Sequence, residues 1–562
     1  MVGHNVSSRF SRLILIALFA FLAAGVSACG SSRVTQATGG SGDEVPPLSL
    51  EFGVAPSGAA QQGVALETFT VELHDEVGSL VTSHEEGIVL EIASDPAGVE
   101  GTLAQELVGG VAIFSGLSFS APGTFVLIVT AGDLTEPLVS DAIEVSAPLS
   151  LTEEAFNAAS LTSGGNVPES DSALSGISAD GRFIVFESIS ADLVSGDTNG
   201  AHDVFVRDLA AGTLSRVSLA SDGSQGEGPS YLGRISANGR YVAFVSGAAN
   251  LVSGDANNAV DVFVRDREAG TTELVSVSSD GTQGDIDSGE PAISADGRYV
   301  AFSSYATTLT AVNPGAYSQV YLRDRLFGTT VLVSVSNDGT AAGDSWSMTP
   351  SVSDDGSKVS FLSFASNLIR ADGNGLFDVY VRDMNAGTNT IVSVNGIGYP
   401  MGAEPAYGAP ISGDGNFVVY TSIANGIAGS DSNNNYDVFR YDLTLGTIER
   451  VAVPYNFPQT TGHAAAPSIS RDGRYIAFES YASNLIFGDT NGQNDVFVKD
   501  MTAGTIARAS QGPNGEQGDR WSITPSVSAD GRFVGFASPS TNFGVASQER
   551  HVIYAVASPL VK

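Results

Sequence analysis

Apolar and polar positions alternate along this chain in short runs, the pattern of strands buried on one face only. Leu48, Leu50 and Phe52 set the period first, followed by Phe69, Val71 and Leu73, then Ile88, Leu90 and Ile92. Turn signals such as Glu76-Val77-Gly78 and Ala121-Pro122-Gly123 separate the runs. Their spacing predicts a β-sandwich of about seven strands over residues 48–148.

Beyond residue 148 the alternation becomes an internal repeat. A Ser-Ala-Asp-Gly-Arg turn followed by an apolar run places its glycine at Gly181, Gly239, Gly297, Gly356, Gly415, Gly473 and Gly531, at intervals of 58 or 59 residues. Each unit carries four strand-like runs; in the second they are Arg234–Ser236, Tyr241–Ser246, Asp261–Arg265 and Glu273–Val277. Four antiparallel strands repeated seven times predict a seven-bladed β-propeller over residues 149–562. The seventh unit ends after Val552–Val556 without a fourth strand, and residues around 155–161 match a fourth strand with no blade before it. The two ends are therefore expected to complete one blade and close the ring by overlap, which leaves few sheet edges exposed. The fold class is all-β: a propeller of four-stranded blades preceded by an immunoglobulin-like sandwich.

Two resemblances attach to these patterns. The units Ile177–Asp208, Ile293–Asp324 and Ile469–Asp500 resemble the TolB-like, WD-repeat-like propeller repeats of bacterial envelope proteins, which implies a protein-binding platform, a part of a peptidase or a module of unknown role. No separate amino-terminal domain like that of TolB is visible. The run Gly110–Leu117, followed by Pro122-Gly123-Thr124-Phe125, resembles bacterial immunoglobulin-like repeats, which implies a spacer or adhesive unit.

At the amino terminus, Arg9 and Arg12 precede an apolar run from Leu13 to Ala24, too short to span a bilayer comfortably and laid out like a secretory signal peptide. Val26-Ser27-Ala28-Cys29 resembles a lipobox, which implies a signal peptide over residues 1–28 and a lipid on Cys29, the only cysteine of the chain. With no partner, Cys29 cannot form an internal disulfide. Residues 29–47, rich in Gly, Ser and Thr, read as the lipidated cysteine and a flexible tether. The expected location is extracytoplasmic, anchored to a bacterial membrane. Gly30 after the cysteine favours the outer membrane by resemblance to enterobacterial sorting. Acids outnumber bases 62 to 26, a net charge of −36 that argues against nucleic acid as a partner.

Strand alternation puts the second-to-third and fourth-to-first connections on one face, the long-loop face, where binding residues are expected. Five of the second-to-third loops carry Asp-x-Asn-x-x-x-Asp: Asp197, Asn199, Asp203; Asp255, Asn257, Asp261; Asp372, Asn374, Asp378; Asp431, Asn433, Asp437; and Asp489, Asn491, Asp495. The pattern offers hard oxygen ligands and resembles half of a calcium loop, but the same residues close Asx-turns and cap the third strand without a metal. The Arg-Asp pairs at Arg207-Asp208, Arg265-Asp266, Arg323-Asp324 and Arg382-Asp383 recur in blade after blade, as architecture does. Trp346 and Trp521, the only two tryptophans, occupy equivalent fourth-to-first loops and suit ligand stacking or loop packing. His202, His463 and His551 stand alone, without metal-ligand spacing. No Gly-x-Ser-x-Gly, His-Glu-x-x-His or phosphate loop is present.

The expected function is a monomeric binding or scaffold protein of the cell envelope that presents a propeller face to a protein or glycan. A propeller-mouth enzyme, such as a polysaccharide lyase, glycosidase or peptidase-like protein, and a calcium-stabilised adhesin remain open as alternatives.

Overall fold

The computed structural model describes residues 32–33 and 48–561 apart from 57–58, 62–65, 67, 76–78, 83–88, 97, 132–136, 147–155, 313, 371, 404–407, 429–432, 455–458, 546 and 548. The signal peptide, Cys29 and most of the tether, together with Asp431, lie outside the described residues.

Between residues 48 and 146 two sheets face each other. One is built on Ser49–Val54, Phe69–His74 and Val111–Phe114, the other on Val89–Asp95, Gly123–Ala131 and Ile143–Ser146. Their inner faces supply a common core that includes Leu50, Phe69, Val71, Leu73, Leu90, Ile92, Phe114 and Leu127. These are the positions that the period-two alternation singled out wherever the runs are described. Ser32–Arg33, expected inside the tether, pairs with Ser49 and Leu50 at the edge of the first sheet.

The remaining chain forms seven successive antiparallel sheets. Blade 1 consists of Ser172–Ile177, Phe183–Ser188, Asp203–Asp208 and Thr213–Arg216, and blades 2, 3, 4 and 6 repeat it. In blade 5 three strands are described, with Ile411 bridging to Val418 where the first strand would run. Blade 7 takes Phe156–Ala158 as its fourth strand, paired with Val552–Ala557 so that Phe156 faces Val556 and Ala158 faces Tyr554. The chain ends are thus hydrogen-bonded to each other, and Ser172–Ile177 of blade 1 packs against blade 7.

A recurring cross-strand aromatic pair holds each blade. Phe186 faces Phe205 in blade 1 at 5.6 Å between ring centroids, and Phe302 with Tyr321, Phe361 with Tyr380 and Phe536 with Tyr554 repeat the arrangement at 5.7–5.8 Å. All are fully buried, and such pairs add about 0.5–1.5 kcal/mol beyond the area they remove from water.

The Asp-Gly turns require glycine on two counts. Gly239 has φ +77°, and a Cβ there would stand 2.1 Å from Phe183 Cδ2 of the preceding blade; Gly181, at φ +76°, meets Phe533 of blade 7 in the same way. Six of the seven turns thus carry the aromatic side chain of the preceding blade directly on their backbone; at Gly415 the neighbour is Lys358.

The Arg-Asp pairs at the ends of third strands divide their work. Asp208 accepts hydrogen bonds from the Ala210 and Ala211 amides and an ion pair from Arg182 (2.6 Å), the arginine of its own Asp-Gly-Arg turn. Arg207 reaches back to the Ala159 carbonyl (2.8 Å), and Arg265 likewise to the Ala220 carbonyl of the blade before (3.0 Å). One residue caps the turn and its neighbour clamps two blades.

The first strand departs from the boundaries expected of it in the second unit. In blade 2 it runs Ser230–Ile235, beginning four residues before Arg234, with a register shift between Tyr231 and Arg234 and Leu232 at φ +54°. This bulge recurs in blades 3, 4, 6 and 7 and interrupts the alternation that would have announced the strand.

Candidate functional site

The first strands surround a central channel, organised in tiers. At the turn end one branched aliphatic residue from each blade, from Ile177 in the first to Val527 in the seventh, lines a cavity of about 180 Å³. Beneath it the turn backbones are linked blade to blade: the Ala179 amide donates to the Ala237 carbonyl (3.0 Å), Ala237 to Ala295 (2.8 Å), Asp354 to Gly413 (2.8 Å), Arg471 to Ala529 (3.0 Å) and Ala529 back to Ala179 (3.1 Å). Three blades replace the consensus alanine here, and the replacements are coupled. Arg471 Nε donates to Asp354 Oδ2 at 2.5 Å across blade 5, where Gly413 leaves room; a Cβ on Gly413 would stand 2.6 Å from that carboxylate. Burial raises the Asp354 pKa and the Arg471 charge opposes the rise. On the same face Thr68 of the sandwich donates a hydrogen bond to Asp296.

At the long-loop end the residue after the second strand forms an apolar rim in five blades. Ile189, Tyr305, Phe364, Ile423 and Tyr481 all stand exposed there, Tyr481 at 59 %. Trp346 and Trp521 join this rim, 42 % and 41 % exposed. Each also packs on a neighbouring loop: Trp346 edge-on against Tyr317 at 5.1 Å, and Trp521 against His551, to which its indole N–H donates at 3.3 Å. His202 on Tyr231 and His463 on Tyr436 make further ring pairs at 5.1 Å. Packing and exposure, alternatives at the level of sequence, are two faces of the same rings. Blade 4 adds a departure of its own. Where blade 2 turns through Asp280-Gly281-Thr282-Gln283, this blade has Ile397-Gly398-Tyr399-Pro400, with Ile397 80 % exposed and Tyr399 and Leu376 exposed as well.

The acidic loops do not hold open oxygen cages. In blade 1 Asn199 Oδ1 accepts from the Ala201 amide to close an Asx-turn, and its Nδ2 donates to Asp203. The space between the two carboxylates is taken by Arg216 of the fourth strand, whose Nη1 lies 3.2 Å from Asp197 Oδ1 and 3.1 Å from Asp203 Oδ2. Blade 6 repeats this with Asn491 and with Arg508 at 3.2 Å from both Asp489 and Asp495. In blade 5 Arg450 approaches Asp437 at 4.0 Å while Asn433 caps the Asn435 amide. In blade 2 the arginine position is Leu274, and Gln283 Nε2 donates to both Asp255 (2.8 Å) and Asp261 (3.1 Å). Asn257 donates to Asp261 as well. In blade 4 the position is Ile391: Tyr380 donates to Asp372, while Asn374 and the Gly402 amide donate to Asp378. Burial, reinforced by the charge of Asp372, lifts the Asp378 pKa to about 6. In blades 1, 2 and 6 a guanidinium or a side-chain amide thus stands between the two carboxylates, and among the described residues no group of three or more His, Cys, Asp or Glu is gathered.

The first and second strands also hold side chains that the repeat hides. Arg234 stands where the other blades have Gly176, Ala292, Ser351, Pro410, Ser468 and Ser526. Glu187, Glu290 and Glu479 each accept a hydrogen bond from a bulge amide of the next blade, those of Leu232 (2.6 Å), Thr349 (2.8 Å) and Thr524 (2.9 Å). Aligning the seven units by their turn glycines would have exposed these departures.

No protein-family model matches this chain, and no curated protein matches it. Among solved structures it is similar to a putative TolB from Agrobacterium tumefaciens, at 16 % identity over 64 % of this chain and 98 % of that one, with a TM-score of 0.33. It is similar also to the RRP9 WD40 repeats, at 10 % identity over 70 % and 99 % with a TM-score of 0.36. A third is the periplasmic gluconolactonase PpgL of Pseudomonas aeruginosa, at 14 % identity over 69 % and 96 % with a TM-score of 0.30. Identities this low carry no activity, substrate or partner across.

Proposed function

We propose that this chain is a membrane-anchored, extracytoplasmic binding or scaffold protein that presents the long-loop face of its propeller to a protein or glycan. The observation that carries the reading is the apolar and aromatic rim of Ile189, Tyr305, Trp346, Phe364, Tyr481 and Trp521. Exposed aromatic side chains packed on one side and open on the other are pre-ordered, so a partner that covers them gains buried area at little cost in side-chain freedom. The Leu376, Ile397 and Tyr399 cluster makes blade 4 the sector where contact is richest in apolar area. Anchoring is supported by the Val26–Cys29 sequence: a lipid on Cys29 would put the chain that follows it outside the cytoplasm.

The test is to probe arrays of envelope glycans and envelope proteins with the full chain in detergent micelles, beside a variant carrying Tyr305→Ala, Trp346→Ala, Phe364→Ala and Tyr481→Ala. Wild type binds a restricted set of spots, and the variant loses them with an unchanged melting temperature. Equal binding by the two proteins would move the site off this face.

A further inference from the structure

We infer that the channel holds a binding site for a uronic-acid unit, with Arg234 taking its carboxylate. The inference rests on the glycan reading of the long-loop face and deepens it.

Space comes first. Arg234 replaces a residue that is Gly, Ala, Ser or Pro in the six other blades, so its side chain projects where the remaining wall is small. The bulge at Leu232 turns it toward blade 1, where Nη1 donates to the Ser175 carbonyl at 2.8 Å and to the Gly233 carbonyl at 3.1 Å. That anchors one nitrogen and fixes the plane. Among the described residues Nε and Nη2 have no partner, and no carboxylate approaches the guanidinium within ion-pair distance. The Nε/Nη2 edge is the fork that fits a carboxylate with two parallel hydrogen bonds.

The surroundings specify the rest of the ligand. Glu187 and Glu290 flank Arg234 closely enough for their charges to favour its ionised form, while burial disfavours it. Each spends one carboxylate oxygen on a bulge amide, and the other has no partner among the described residues. Thr349, next to Glu290 across the blade junction, has a buried hydroxyl without a partner. One fixed cation ringed by acceptors fits a ligand with a single carboxylate and several hydroxyl donors. A polyanion would be repelled by Glu187, Glu290 and the net charge of −36, and a neutral sugar would leave the guanidinium edge unpaired. We place entry at the long-loop face, since the turn end is crossed by the Asp354–Arg471 pair. The aromatic rim then lies along the path of any sugars that follow the acidic one.

The experiment is isothermal titration calorimetry of the full chain in detergent micelles with glucuronic acid, glucose, the tripeptide Gly-Gly-Gly and an oligosaccharide ending in glucuronic acid. Glucuronic acid is expected to bind one per chain and glucose to give no signal. The oligosaccharide binds more tightly than the monosaccharide if the unit belongs to a glycan, and equally if the free acid is the ligand. Arg234→Gln weakens glucuronic acid at least tenfold. Arg234→Lys, which keeps the charge and stem without the fork, weakens it less and guards against a folding defect, as does an unchanged melting temperature in both. No heat with glucuronic acid, equal binding by Arg234→Gln, or stronger binding of the tripeptide overturns the assignment. If array binding at the aromatic rim persists in any of those cases, the channel site alone has failed and the proposed function stands.

Discussion

Blades 1 and 6 place an arginine between two loop carboxylates, and blade 4 has Ile391 at that position. The substitution Ile391→Arg therefore grafts a device the protein already uses. In the native blade, burial beside Asp372 raises Asp378 from 3.8 to about 6. A carboxyl whose folded pKa lies above its unfolded value holds its proton more tightly in the native state. Its contribution is therefore fully present below about pH 4 and is lost as pH rises through about 6. At about 1.36 kcal/mol per pKa unit, a rise of roughly two units costs about 3 kcal/mol of stability at neutral pH. A guanidinium in contact with both carboxylates, as Arg216 is at 3.1 and 3.2 Å, supplies the missing counter-charge. The expected result is a variant with a gain of about 1–3 kcal/mol at pH 7.5, little gain at pH 4, and a flatter stability profile between them. Urea denaturation of wild type and variant at half-unit intervals from pH 4 to 8 measures this, and the difference cancels the titration of groups common to both. A constant offset across the range, or a loss at pH 7.5 equal to that at pH 4, would refute the reasoning.

Two further perturbations probe the frame. Gly239→Ala combines a φ of +77° with a Cβ 2.1 Å from Phe183 and should cost at least about 3 kcal/mol. Gly200→Ala, at φ +63° with nothing within 4 Å, should cost about 1 kcal/mol; equal losses in urea denaturation would remove the packing argument. Excess chelator should leave the melting temperature of the full chain unchanged in calcium-containing buffer, since Arg216, Arg508 and Gln283 stand between the loop carboxylates; a fall would favour the calcium reading.

The propeller was legible because its defining signals are local and repeated. Asp-Gly or Asn-Gly turns at intervals of 58 or 59 residues, apolar second strands and third strands of the Asp-Val-Phe-Val kind recur together in each unit, as at Gly181, Phe183–Ser188 and Asp203–Val206 in the first. The overlap closure was legible for the same reason, as an arithmetic remainder of the repeat. The channel strands were read less well, since a bulge at Leu232 and its equivalents breaks the period and one edge of these strands faces water. The partners of the acidic loops were not legible because Arg216 and Arg508 are on the fourth strand, 13 residues beyond the inner aspartate. Asp354, Gly413 and Arg471 were present in the sequence as flaws in a consensus. Their meaning appears only when the ring brings residues 117 apart in the chain to 2.5 Å. Arg234 belongs to the same class: repeats advertise architecture, and binding residues are found where the repeat is broken.

The long-loop face carries both tryptophans of the chain, so fluorescence excited selectively at tryptophan reports from it alone. The most direct test of the binding reading is acrylamide quenching of the full chain, free and saturated with a ligand identified on the arrays. Trp346 and Trp521 should be quenched freely in the unbound protein and become shielded in the complex, with a shift of the emission maximum to shorter wavelength. Unchanged quenching in a saturated complex would place the partner elsewhere and contradict the account.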